Sequence, residues 1–222
     1  MLKSVFQDIT NISSKRIKLT IHKSSHRKRL LRWLYEVCRD FRYSIYTYTT
    51  AVLIIDKYTE KNGFELKEYQ LIGISCLFLA AKIEESKTKR VLEYSVVTDG
   101  AFTAKEILRT EWSIFESLGH ELHLKLPQYY FNPDYFRTRF SFLEFEHKKE
   151  LLNCFIAAQL EVRSYTRNVF LLYLESKREM EVWLADEYKT VPEMAKFYIK
   201  NNPLIYNILD SILNLQDAKQ IK

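Results

Sequence analysis

A chain of 222 residues, 47% of them hydrophobic, can bury one large core or two of about 100 residues each. Four glycines and four prolines leave little material for hairpin turns, so helices are expected throughout. The net charge of +6 is local, because Lys15, Arg16, Lys18, Lys23, Arg27, Lys28, Arg29 and Arg32 lie in a stretch from Ile9 to Tyr35 that holds no acid; that window carries +8 and the remainder −2, which argues against a generally basic surface. No apolar run approaches the roughly 18 residues of a membrane span, and the opening Met1 to Asp8 is not a basic segment followed by an apolar one. Cys38, Cys76 and Cys154 are odd in number and sit inside apolar periodic segments, as buried free thiols do in a reducing compartment. An intracellular place, nucleus or cytoplasm, is expected.

Residues 1–24 read as a polar arm, with room for one short helix, ending in the pair Ser24-Ser25 that can cap a helix. From Arg27 to Phe41, Leu30, Leu31, Leu34, Val37, Cys38 and Phe41 recur at steps of three and four, which predicts an amphipathic helix. A second is predicted over about Thr47 to Glu60, with Tyr48, Ala51, Val52, Ile55 and Tyr58 on one face, ended by Asn62-Gly63. Leu71 to Ile83 is apolar in every direction and must be surrounded by other helices. A short fourth helix follows from Arg90 to Val97, and Thr103-Ala-Lys-Glu106 is a capping box opening a fifth that runs to Leu118 and stops at Gly119. After Pro127 the pattern begins again, less regularly, with helices predicted over Tyr129 to Phe140, Glu146 to Arg163, Asn168 to Leu184, Val191 to Lys200 and Leu204 to Leu213.

Three features do not fit a plain core. On a helical wheel Ile107, Leu108, Ile114, Phe115 and Leu118 form one stripe of the fifth helix, with Glu111 near its centre. A carboxylate there reaches solvent or a local lysine, or else meets another protein. Lys82 ends the enclosed helix in line with Leu71 and Phe78, where the helix dipole favours a cation. Arg27 and Asp56 lie on or beside the apolar faces of the first two helices, which antiparallel packing could bring together.

The run Arg27-Lys-Arg-Leu-Leu-Arg-Trp-Leu-Tyr-Glu-Val37, then Ala51 to Tyr58, then Gln70-Leu-Ile-Gly73 through Leu79-Ala-Ala-Lys-Ile-Glu-Glu85, resembles the cyclin box in order and spacing. Tyr94 to Asp99 and Ala101 to Glu111 continue the likeness, which covers about residues 26–127 and is closest in pattern to mitotic A- and B-type cyclins. The resemblance implies an all-α fold of two tandem five-helix cyclin-box modules. Residues 25–126 would be the first, kinase-binding box, and 127–222 a second that is divergent and short. It further implies a non-enzymatic regulatory subunit that binds and activates a cyclin-dependent Ser/Thr protein kinase in cell-cycle control, without a cofactor. By position, Lys82 and Glu111 match the pair that hydrogen-bonds to the kinase near its C-helix, and Leu79, Ile83, Phe115 and Leu122 fall where the family offers apolar surface. Arg27 and Asp56 match a structural ion pair. Leu30, Trp33, Glu36 and Gln70 match the groove on which division cyclins dock Arg-x-Leu motifs, whereas His26 and Arg29 replace Met and Ile there, which would suit acidic or phosphorylated substrates. In the arm, Lys3 to Asn11 resembles a degenerate destruction box, with Lys3 and Phe6 in place of Arg and Leu.

Catalytic and metal chemistry find no support. The glycines at 63, 73, 100 and 119 are too far apart for a phosphate loop, and no Ser, Cys or His sits in a nucleophile motif. His120 and His123 stand three residues apart after a helix-ending glycine, whereas the zinc-protease motif needs four on a helix. The alternatives are a transcription-type cyclin, a scaffold that binds a kinase without activating it, or a nucleic-acid-binding protein similar to transcription factor IIB. The last is disfavoured by the lack of paired Cys-x-x-Cys motifs and the confinement of the basic charge.

Overall fold

The computed structural model describes residues 25–141, 143–165, 168–185 and 191–208, so the arm with its destruction-box-like segment and the chain past residue 208 lie outside the described residues. The fold is all-α, with no strand among the described residues. The backbone divides into two compact units. One holds the chain up to Leu126 together with Val162–Thr166, and the other holds Pro127–Glu161 and the chain from Arg167.

The first unit contains α1 (Ser25–Phe41), α2 (Ile45–Asn62), α3 (Tyr69–Glu84), α4 (Val91–Val97) and α5 (Ala104–Ser117). Every residue of α3 from Ile72 to Ala81 is buried, and α1, α2, α4 and α5 all pack against it. Gly73 permits the approach of α1, since a Cβ there would stand 2.8 Å from Leu30 Cδ1, inside the side chain that α1 buries against α3. α2 is more enclosed than its apolar face predicts, for Thr47 through Asp56 are all buried. The three threonines conceal this in the sequence because they read as polar, yet each buried hydroxyl has a partner, one in its own helix and two at the end of α3. Thr49 donates to the Ile45 carbonyl (3.0 Å), Thr50 to the Glu84 carboxylate (2.7 Å) and Thr47 to Glu85.

The ends follow their chemistry. Gly63 takes φ +66° after α2. The Thr103 hydroxyl accepts from the Glu106 N–H (3.2 Å), and the Glu106 carboxylate accepts from the Thr103 N–H (2.8 Å), which starts α5. Gly119 and His120 both have positive φ and end it. All three cysteines are free and buried, and burial pushes each thiol up, as inert structural cysteines require.

The second unit contains α6 (Pro133–Thr138), α7 (Phe145–Val162, its last residue grouped with the first unit), α8 (Val169–Ala185) and α9 (Glu193–Lys200), and residues 203–208 are again helical. The continuous helix expected over Tyr129 to Phe140 does not form. A 3₁₀ turn occupies Pro127–Tyr130, and α6 starts afresh where Asn132 accepts from the backbone of Asp134 (3.0 Å) and Tyr135 (3.2 Å), with Pro133 in the first turn. In α7, Leu151 to Leu160 are all buried. The buried Lys148 ammonium donates to the Phe136 carbonyl at the end of α6 (2.7 Å), and desolvation lowers its pKa.

Within the first unit, Arg27 of α1 and Asp56 of α2 form a bidentate pair, one arm measuring 3.0 Å, with both side chains sealed from water. Desolvation works against the Arg27 charge, but Asp56, Tyr69 and Tyr48 together outweigh it and its pKa is raised; burial pushes the Asp56 carboxyl up, opposed by Arg27. Removing one partner of such a pair leaves a buried charge uncompensated, at roughly 3 to 5 kcal/mol. Thermal and urea unfolding should therefore show Arg27→Ala and Asp56→Ala each strongly destabilised, with the double variant losing clearly less than the sum.

Candidate functional site

The surface of interest begins where α3 leaves the core. Leu79 is buried, whereas Lys82 and Ile83, in the last turn, have about 43% and 39% of their surface exposed. The exit is held in place from α2: the Glu85 carboxylate accepts from the Ser44 N–H (2.7 Å) at the start of α2 and from the Thr47 hydroxyl, and Glu84 accepts from Thr50. Two acids that look like an unremarkable helix end in the sequence are therefore the clamp that fixes the direction of this turn. They also place negative charge beside the N-terminus of α2, where the helix dipole favours it.

From α5, Glu111 reaches the same place. It lies between Ile107 and Ile114, the other two buried positions of that helix, and its side chain is only 10% exposed. Its partner is a lysine from another helix, Lys82 of α3, whose Nζ stands 2.6 Å from Oε1. The ammonium also sits 4.1 Å from the centre of the Phe78 ring. The two charged residues singled out by resemblance thus meet, on two helices and 29 residues apart in the chain.

The other apolar side chains matched by resemblance lie on α5 and just after it. Phe115 is half-buried and packs edge-on to His120 (4.6 Å) and obliquely on Trp112 (6.0 Å); Leu122, beyond α5, is half-buried. Trp112 is 58% exposed and Leu108, one turn earlier, is exposed as well, although the wheel puts Leu108 in the buried stripe. The stripe is narrower than the wheel suggests, and Trp112, which follows Glu111 directly, is the residue that sequence reasoning passes over. Its one signal is a large apolar side chain lying off the periodic stripe.

The residues matched to the docking groove divide in two. Leu30 and Trp33 are closed into the core of the first unit, so the accessible part consists of Arg29, which is exposed, and of His26, Glu36 and Gln70, which are half-buried. Burial first, and Arg29 second, lower the pKa of the His26 imidazole below its ordinary value, and Lys28, Arg29 and Arg32 supply the fixed positive charge of this helix start. No group of His, Cys, Asp or Glu able to hold a metal exists among the described residues, and none of their helices is long and apolar enough to cross a membrane.

A helix enclosed on all sides that surfaces through one charged turn defines an all-helical module whose chemistry is presented at a surface. The chain belongs to the cyclin family: residues 5–123, more than half of it, match the family model for the cyclin N-terminal domain. It is 38% identical over 94 residues to G1/S-specific cyclin-E of Drosophila melanogaster, covering 42% of this chain and 13% of that protein. It is 34% identical over 105 residues to G2/mitotic-specific cyclin-A of Hydra viridissima (47% and 25%) and 32% identical over 101 residues to G2/mitotic-specific cyclin-B2 of Oryzias luzonensis (46% and 26%). These matches span about a quarter or less of the curated relatives' own length. The fold is similar to the X-ray structure of a viral cyclin from Herpesvirus saimiri, with a TM-score of 0.62 and 18% identity, over 96% of this chain and 90% of that one.

Because Lys82 is nearly half in water, its pairing with Glu111 is worth much less than that of Arg27 with Asp56. A double-mutant cycle with Lys82→Ala and Glu111→Ala in the free chain should give a coupling of about 1 kcal/mol or less. Helical circular dichroism and cooperative melting should persist in all three variants; a coupling of several kcal/mol would mean that the pair is a core element, not a surface one.

Proposed function

We propose that this chain is the regulatory subunit of a cyclin-dependent Ser/Thr protein kinase, acting in cell-cycle control and carrying no catalysis of its own. The observation that carries the reading is the meeting of Lys82 and Glu111, with the exposed Ile83 next to the lysine in sequence and the half-buried Phe115 one turn after the acid; Leu122 is added to this surface by resemblance. Such a patch offers donors and an acceptor side by side with apolar area around them, as a protein interface needs. Seated against the kinase C-helix, it holds that helix inward, so that the kinase's own Lys–Glu pair and activation segment take their active arrangement. The phosphoryl chemistry belongs to the partner. Family membership supports the class of partner; the particular kinase is found by co-purification and identification of the bound chain.

Lys82→Ala and Glu111→Ala test the surface. Each variant folds, and each weakens kinase binding by about 2 to 5 kcal/mol if the charge is buried in the complex, measured by titration calorimetry and by loss of kinase activation. Unchanged affinity in both removes the assignment. Binding without activation would indicate the scaffold, and salt-dependent DNA binding by the chain alone would indicate the nucleic-acid reading.

Substrate docking forms the second part of the proposal. With Leu30 and Trp33 enclosed, the first turns of α1 offer Lys28, Arg29 and Arg32 and little apolar area, which suits acidic or phosphorylated segments better than Arg-x-Leu motifs. Fluorescence anisotropy with both kinds of peptide is expected to show weak binding of Arg-x-Leu and preference for the phosphopeptide. The double change His26→Met, Arg29→Ile should reverse the order, and tight Arg-x-Leu binding by the unaltered chain would contradict it.

A further inference from the structure

Phe78 lies one turn before Lys82 on α3 and is buried, so its plain role is to fill the core. Any apolar side chain of that size would do this. What an aromatic ring adds is a face of negative potential, and the ring turns that face to a cation, the Lys82 ammonium, 4.1 Å from its centre. The same ammonium is 2.6 Å from the Glu111 carboxylate. It is thus held from two directions, by the ring from its own helix and by the acid from α5. The ring cannot easily turn away, because the buried Tyr94 packs edge-on against it at 4.8 Å. Tyr94 is fixed in turn by Phe41 (5.1 Å) and by a hydrogen bond between its hydroxyl and that of Tyr43 (2.7 Å), whose oxygen also accepts from the Lys89 N–H (2.8 Å).

We propose that Phe78 is a positioning residue for the partner-binding surface: its ring, fixed by Tyr94, holds the Lys82 ammonium against Glu111 in the free chain, so that the pair meets the partner already ordered. A lysine stem has four rotatable bonds, and a side chain that is already held loses less freedom on docking than one that must be ordered there. The inference rests on the kinase-binding reading for its effect on affinity, but the hold on Lys82 is a property of the free chain.

The test removes the charge of the ring face without changing its packing. Phenylalanine bearing one, two or three fluorine atoms is incorporated at position 78 of the full chain, in the unaltered background and with Lys82→Met. In the free protein, NMR of labelled lysine should show the Lys82 ε-methylene shifted upfield by the ring current. In titrations with the co-purified kinase, Kd should rise stepwise with fluorination, by about two- to fivefold in total, the scale of a cation–π contact to a half-exposed ammonium. In the Lys82→Met background it should not change. A Kd that is flat in the unaltered background, or that rises equally in both, overturns the proposal, as does an unshifted Lys82 methylene. A chain with a shifted methylene that binds no kinase contradicts the functional reading itself, which separates the two failures.

Discussion

A helix with no polar side has to be enclosed, and it can meet solvent only at its ends. α3 is buried without interruption from Ile72 to Ala81, and the four helices around it take their places from that need. α1 approaches at Gly73, α2 is drawn in until even its threonines are buried, and α5 contributes Ile107 and Ile114. The C-terminal end of α3 is then where its charged turn reaches solvent. Glu84 and Glu85 tie that end to the start of α2, so the turn bearing Lys82 and Ile83 emerges in a fixed direction.

Two ion pairs in the first unit illustrate how burial separates structure from function. Arg27 and Asp56 are closed off at both ends, and charge separation inside the core is so costly that the pair has no freedom to do anything else. Lys82 and Glu111 are matched about equally well in distance, but the lysine is nearly half exposed while the acid is nearly buried. Water and salt weaken this second pair, and its members keep hydrogen-bonding capacity for another molecule. A partner that uses them reaches the pair through the exposed Lys82 ammonium.

Much of the first unit is legible in the sequence, because period, cap and composition agree there. The all-round apolar run of α3, the capping box at Thr103 and the glycines at 63 and 119 are local signals with local causes. The enclosure of α2 is less legible, since Thr47, Thr49 and Thr50 read as polar and their partners lie in its own previous turn or at the far end of α3. Past Pro127 the helical period alone overran a real break at Asn132-Pro133, where cap chemistry outweighs apolar spacing. At the site, the residues could be named by resemblance, but three things depend on packing between helices: that Glu111 is nearly buried, that Phe78 faces the Lys82 ammonium, and that Trp112 stands out in solvent. No periodicity encodes those. The same is true of Leu30 and Trp33, whose burial reduces the expected groove to its charged rim.

The proposed kinase-binding surface is the end of α3 and the adjoining face of α5. Hydrogen–deuterium exchange of the full chain, free and with the co-purified kinase, tests it without any substitution. New protection is expected in two stretches, residues 79–86 and 107–118, with little change along the exposed face of α1. Protection confined to α1 or to the helices after Pro127, with the end of α3 exchanging as in the free chain, would contradict it.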